Sequence, residues 1–501
     1  MENNNYIINS VNPILYETQE TLDFRARIGR RLGLATALYA AISTFCIYKN
    51  LSGITMPFFG IITLIYMIYG LKQYDVVIKR SSWFYGAILM ALSVSDFLTA
   101  NELFISLNNL GIILMIFIFL LHNVYDDRRW NFSKTFIALC ESFIYSAGSV
   151  SDFGKDMKEV TRRCINGGIS YEKKRTIKYV FIGLVIAMPI VGFLIGVLAN
   201  ADIVFNDMLI KYCHIDYDFG ELIVIGITFL FIYFSAYCTM RFFSKKTIRE
   251  DVVSRRIMEP VIAITVLSLV SVVYLLFSLI QIRYLFIGGG SLPNGYSYAQ
   301  YAREGFFQLL GVSILNFLMV LFVNSFFKES RILKALMTLI SLCTYIMIAS
   351  SFIRILMYIE VFHLTLLRLL VLWALTVLSI LFAAVIISIF KNGFPLFKCC
   401  VVVVSLLYVM LSFARPDYII AKYNLSYADT TGSNMVARDC NYLKSLSADA
   451  APIIGEYDTE WADDYFRKFH SNAYTVEKAS GRKLNLSVYT AEKIYTSRRM
   501  D

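Results

Sequence analysis

Long apolar runs recur along the chain, separated by short polar connectors. A membrane-spanning helix needs about 20 predominantly apolar residues. Reading with that window predicts eleven spans: 32–48, 51–71, 83–98, 103–121, 177–198, 222–240, 261–282, 306–326, 332–352, 366–390 and 394–413. The first two nearly touch, and the third is short. Lipid admits only helices or closed barrels, and these runs are too long for barrel strands. The expected fold class is therefore an all-α integral membrane protein, a bundle of about 11 transmembrane helices followed by a small extracytoplasmic C-terminal helical domain.

Lysine and arginine in the connectors set the expected orientation. With the N-terminus inside, the inner segments hold 29 of them and the outer connectors, the C-terminal tail aside, hold six. Cationic loops are retained on the cytoplasmic side, so the asymmetry predicts an N-terminus inside and a C-terminus outside. The expected organisation is a cytoplasmic N-terminal segment (1–31), spans one to four (32–121), a cytoplasmic insert (122–176), spans five to eleven (177–413) and an extracytoplasmic tail (414–501). In the insert, Phe132, Phe136, Leu139 and Phe143 recur at helical spacing, which predicts a helix lying in the membrane interface. The basic stretch that follows suits anionic lipid, at about 1 kcal/mol per cation close to the surface. The bland alternative is an ordinary cytoplasmic loop.

Composition agrees with the pattern: 57% of residues are hydrophobic, 17% are charged, and the mean hydropathy is +0.60. The net charge of +10 sits in connectors rather than on one face, so it reads as membrane topology and excludes a nucleic-acid partner. The nine cysteines contain no CxxC pair, and the four histidines are scattered, so no metal and no cofactor is expected. A disulfide between Cys213 and Cys440 is conceivable, since both are expected outside. The N-terminal 23 residues are polar and not basic, unlike a cleavable signal peptide. No P-loop, dinucleotide fingerprint, G-x-S-x-G or H-E-x-x-H occurs, and no catalytic residue is assigned.

Polar residues nevertheless gather in the outer connectors. "GGGSLPNGYSYAQYAREGFF" is a turn-rich hinge leading into a helix, with Tyr298, Tyr301 and Glu304 on one face beside Arg303. The next outer connector supplies Arg354, Glu360, His363 and Arg368, and the start of the tail supplies Arg415, Asp417 and Asn424. Asp96 and Asn316 are intramembrane polar residues, a placement that is costly and turns such side chains toward protein or a cavity. Two readings of this set stand side by side. Interfacial ion pairs and snorkelling anchors would fix helix ends. A ligand site made of Tyr298, Tyr301, Arg303, Glu304, Arg354, Glu360, Arg368, Asp417 and Asn424 would use the arginine fork to hold an anionic group.

Three blocks, "GGGSLPNGYSYAQYAREGFFQLL", "SSFIRILMYIEVFHLTLLRL" and "ARPDYIIAKYNLSY…NYLKSLSADAAPII", resemble the signature of a bacterial polytopic membrane family, domain of unknown function 4173. The likeness covers about 260–455. Arg415 stands where that pattern has Asn, and Phe362–His363 where it has Tyr–Gly. The resemblance implies a multi-pass protein of the bacterial cytoplasmic membrane and no established activity. Three functional readings stay open. The first is a non-enzymatic signalling or scaffold component with a membrane-protein partner. The second is a transporter or flippase for an anionic amphiphile. The third is an outer-leaflet lipid or cell-wall modifying enzyme.

Overall fold

The computed structural model describes residues 18–166, 219–250, 256–283, 298–391, 393–431, 435–457, 460–477 and 481–498. Helices dominate it, in chain order α1 (Gln19–Ile47), α2 (Thr55–Gln73), α3 (Ser82–Leu98), α4 (Glu102–Val124), α5 (Phe132–Gly148), α6 (Val150–Asn166), α7 (Phe219–Ser244), α8 (Pro260–Gln281), α9 (Tyr298–Phe326), α10 (Arg331–Phe362), α11 (Leu366–Phe390) and α12 (Leu396–Phe413). The C-terminal region continues with α13 (Pro416–Thr431), α14 (Met435–Ser445), α15 (Ala451–Ile454), α16 (Glu460–Glu477) and α17 (Leu486–Arg498). Among the described residues eight helices are long and apolar enough to cross a membrane, and α3 is a shorter apolar one. The run at 32–48 forms the second half of α1, whose first half carries Arg25, Arg27, Arg30 and Arg31. The run at 177–198 and Cys213 lie outside the described residues.

The apolar residues are turned outward as lipid requires. On α8, Val266, Leu269, Val273, Leu276 and Ile280 are all exposed, and only Ala263 and Leu267 among its aliphatics are buried. A water-facing surface with so much contiguous apolar area would be untenable for a monomer, whereas hydrocarbon tails solvate it at no cost. The protein is an all-α, multi-pass membrane protein.

The chain divides into two compact units, one of residues 1–44 and 145–242, the other of residues 45–144 and 243–501. The insert at 122–176 is thus shared between them. In the first unit, α1, α6 and α7 meet around Asp156, which is fully buried and engaged by Arg25 at 3.0 Å, Arg241 at 2.7 Å and the Tyr237 hydroxyl at 3.0 Å. Gly29 lets α6 approach closely, since a Cβ there would stand 2.7 Å from Val160 Cγ2.

In the second unit the helix connectors sort into two ends. At one end Lys79 donates to the carbonyls of His122 and Tyr125, Lys398 pairs with Asp127 at 3.1 Å, and Met258 bridges the backbone at Phe326–Lys328. At the other end the connectors at 49–54, 99–101, 363–365 and 414–415 meet the helices of the C-terminal region, which form a cap over them. The cap shares its core with the spans. Ile355 and Ile359 of α10 and Leu375 of α11 join Ile420, Ala450, Ile454, Phe466 and Tyr495 in one buried cluster. A second cluster, built on Leu267, Val320, Met337 and Val385, fills the bundle toward the opposite end.

Candidate functional site: a polar cavity beneath the C-terminal cap

Short polar side chains fasten the cap, each reaching backbone groups that the tight connectors leave without helical partners. Asn50 donates to Arg482 O at 2.9 Å and to Thr55 Oγ1 at 2.8 Å. Asn485 donates to the carbonyls of Ser52 (2.8 Å), Thr99 (2.8 Å) and Asp96 (3.2 Å), while its Oδ1 accepts the amides of Ser487 and Val488 at the start of α17. Asn101 caps α4 through the amides of Leu103 and Phe104, and its Nδ2 donates to Asp417 Oδ2 at 2.9 Å. That same oxygen accepts the Ser447 amide at 3.0 Å.

Asp449 is the most enclosed of these groups. It has no exposed surface, and it accepts from Thr99 Oγ1 at 2.5 Å, from the Ala100 amide at 3.0 Å and from Ser487 Oγ. Burial pushes its carboxyl above the ordinary range, and the Ser487, Thr99 and Ala100 donors pull the other way. With all these donors aimed at them, Asp417 and Asp449 hold segments together and are poorly placed to take or give a proton to a reactant.

Beside this network lies a cavity of about 840 Å³. Its wall combines Lys49, Glu102, Asp417, Lys468, Lys483 and Glu492 with aromatic and small polar side chains. Lys468 is held over the Tyr465 and Phe469 rings at 4.7 and 4.8 Å, and it donates to the carbonyls of Lys444 and Leu446. Burial draws its ammonium down to about 8, against the opposing charge of Asp417. A concave site with a few fixed charges and aromatic walls suits a small polar, charged ligand. Among the described residues no three His, Cys, Asp or Glu side chains come together to hold a metal.

The residues singled out in the sequence occupy several places. Asp417 is in the cavity wall. Asn424 is buried and binds both backbone groups of Leu364. Arg368 closes the end of α10 by donating to the carbonyls of Phe362 and His363, and its guanidinium stacks over Tyr358 at 4.4 Å. Arg354 is buried between α8, α9 and α10, with Nη2 3.3 Å from Gln281 Oε1. Glu360 faces out. Helix α9 starts at Tyr298 as the pattern predicts, but the side chains of Tyr298, Tyr301, Arg303 and Glu304 lie outside the described residues, as does most of the glycine-rich loop.

The two intramembrane polar residues both find helix-to-helix partners. Asn316 accepts from Tyr274 at 2.7 Å and donates to Thr344 at 3.0 Å, joining α8, α9 and α10. Asp96 accepts from Asn108 at 2.9 Å, and Asn108 in turn accepts from Tyr408 and Ser412 of α12. Asp96 Oδ2 is buried and receives no hydrogen bond.

Sequence reasoning missed Asp449, Asn485, Lys49 and Lys468. "SLSADAAP" stands inside the third signature block without being singled out for chemistry, and Asn485 and Lys468 sit in a tail whose charges balance. The one signal was Asp449 among small residues, a composition suited to a crowded carboxylate.

Residues 84–457 match the family described as domain of unknown function (DUF4153), and the chain belongs to that family. This is a different family number from the 4173 that the signature blocks suggested; what the two share is a family of unknown function. No curated protein and no solved structure matches the chain. The matched region contains Asn101, Asp417, Asn424 and Asp449, whereas Lys49, Lys468 and Asn485 fall beyond it.

Proposed function

We propose that this is a non-enzymatic signalling or scaffold protein of the bacterial cytoplasmic membrane, with the cap on the outside and the cavity beneath it as the receiving site. The carrying observation is the construction of that cavity. Its wall is contributed by the connectors at 49–52 and 100–103, by Leu366, by the start of α13, by the end of α14 with the turn after it, and by the two last cap helices, so a ligand there contacts segments that its binding would fix relative to one another. The sorting of connectors into a cap end and an opposite end supports the expected topology: the described residues of the basic connectors 72–80, 243–250, 328–334 and 391–398 belong to the end away from the cap. The donors gathered on Asp449 and on Asp417 Oδ2 favour recognition over acid–base chemistry at this cavity.

The test is an allelic replacement with Lys49→Ala/Lys483→Ala, two exposed wall residues, followed by transcript profiling under envelope stress. The reading expects altered envelope-stress transcripts at unchanged protein level. An unchanged profile would end it.

A second reading, transport of an anionic amphiphile, is favoured by one observation, the buried Asp96 carboxylate inside the apolar bundle. Proteoliposomes that move no headgroup-labelled lipid would remove it.

A further inference from the structure

The end of the second unit away from the cap holds a separate cavity of about 410 Å³, lined by Arg128, Arg256 and Lys391 together with Trp130, Asn324 and Ser388. We infer that this cavity binds the phosphate-bearing headgroup of an anionic membrane lipid. The three cations come from three different connectors, those after α4, before α8 and after α11, so the convergence is produced by the fold.

Among the described residues no acidic side chain lines the cavity. Carboxylates outside the lining pair with two of the cations. Asp126 holds Arg128 by both Nε and Nη2 at 2.8 Å, and Glu329 pairs with Arg256 and, at 2.7 Å, with Lys334. Glu250 accepts the Asp126 amide, and its carbonyl receives Trp130 Nε1 at 3.2 Å. Each guanidinium is therefore pre-oriented by a carboxylate on one side, which lowers the ordering cost of binding a phosphate on the other. Asn324 and Ser388, linked at 3.3 Å, offer neutral hydrogen-bonding groups to a headgroup's hydroxyls or phosphate oxygens.

The surroundings select a lipid over a free phosphate. Phe390, the residue before Lys391, is 61% exposed. Phe136, stacked one helical turn along α5 from the wall residue Phe132, is 52% exposed. Acyl chains can lie on those rings while the phosphate enters the cationic cavity. This site is at the opposite end of the unit from the cap cavity, so neither proposal depends on the other.

Native mass spectrometry of the full-length protein in a non-ionic detergent tests it, with phosphatidylglycerol, phosphatidylcholine and soluble glycerol 1-phosphate as probes. The expected result is a saturable one-to-one phosphatidylglycerol adduct. Arg128→Ala and Lys391→Ala should each weaken it about fivefold, the loss set by about 1 kcal/mol per cation near an anionic group. Both side chains are exposed, so their removal should leave the fold intact; Lys391→Glu provides a stronger second variant. Lys483→Ala, a cation at the other end, should leave the adduct unchanged. Equal retention of phosphatidylcholine, equal loss in Lys483→Ala, or wild-type affinity in the Lys391 variants would overturn the site. Binding of glycerol 1-phosphate as tight as that of the lipid would overturn the lipid assignment.

Discussion

Asn424 holds both backbone groups of Leu364: Oδ1 accepts the Leu364 amide at 2.9 Å, and Nδ2 donates to the Leu364 carbonyl at 3.0 Å. A side-chain amide thereby imitates a strand neighbour and pins α13 of the cap to the turn between α10 and α11. Asn424→Ala leaves a buried N–H and a buried C=O without partners, each worth about 1–3 kcal/mol. The expected loss is about 3 kcal/mol, seen as a lower thermal midpoint in detergent. Asn424→Asp keeps the acceptor but sets a carboxylate against the carbonyl, so it should fail to restore stability.

Gly305 and Arg354 meet as closely. A Cβ built on Gly305 would stand 1.8 Å from Arg354 Nη1 and 2.8 Å from its Cζ. Gly305→Ala must therefore expel the guanidinium from its place near Gln281, and a cost of about 1–3 kcal/mol is expected from overpacking. Because the two residues share one space, Gly305→Ala/Arg354→Ala should cost less than the sum of the single changes by about 1 kcal/mol or more. Additive thermal shifts would show that the arginine is not the obstacle.

These two relationships mark how far the sequence could be read. Helical spans were legible because lipid demands long apolar runs, and the start of α9 at Tyr298 was legible from its turn residues. Which way Arg354 points was not, because the space it enters is defined by a missing side chain on another helix. Asp417 was legible as a polar residue at the start of the tail, while its partner Asn101 lies more than three hundred residues earlier. Asp449 was illegible for the same reason: its donors Thr99, Ala100 and Ser487 come from two distant segments. Two departures from the signature pattern gain a physical meaning. His363 and Arg415, where the pattern has Gly and Asn, both have left-handed backbone angles, with φ of 60° and 50°. Gly and Asn are the residues that tolerate that conformation best.

Lys468 predicts a pH dependence of the cap. Its folded-state value of about 8 lies below the ordinary lysine value of 10.5. Between those two values the unfolded chain binds the extra proton, so stability rises with pH across that window, and below it the burial cost is felt in full. Lys468→Met removes this slope. The difference in thermal midpoint between wild type and Lys468→Met should move in favour of the wild type as the buffer goes from about pH 8 toward pH 10. A difference independent of pH would mean the ammonium is not desolvated.

In the first unit, Asp156 faces Arg25, Arg241 and the Tyr237 hydroxyl in a setting with no exposed carboxylate surface. Asp156→Leu takes from two buried guanidinium groups the carboxylate they share, and breaking a buried pair in this way costs about 3–5 kcal/mol. Replacing all three charges at once, with Arg25→Met, Asp156→Leu and Arg241→Met, removes the guanidinium groups together with their shared carboxylate and should recover most of that loss. Limited proteolysis within α6 reads the difference directly: rapid cleavage in the single variant, protection in the triple. Equal cleavage in both would mean that the ion cluster itself, rather than charge balance, holds α6.

His363 offers the opposite sign, a substitution that should stabilise. Its φ of 60° and ψ of 178° belong to a region that is essentially confined to glycine, and a side chain there costs about 1–3 kcal/mol. The backbone is held there from both sides. Arg368 donates to the His363 carbonyl, and the next residue, Leu364, is clamped by Asn424. Both anchors act on backbone atoms, so His363→Gly keeps them and relieves the strain, at the expense of the buried imidazole's packing. A net gain of about 1 kcal/mol is expected, visible as a higher thermal midpoint. His363→Ala keeps the strain and loses the same packing, so it should fall below the wild type. If glycine and alanine behaved alike at this position, the imidazole contacts would outweigh the backbone angle.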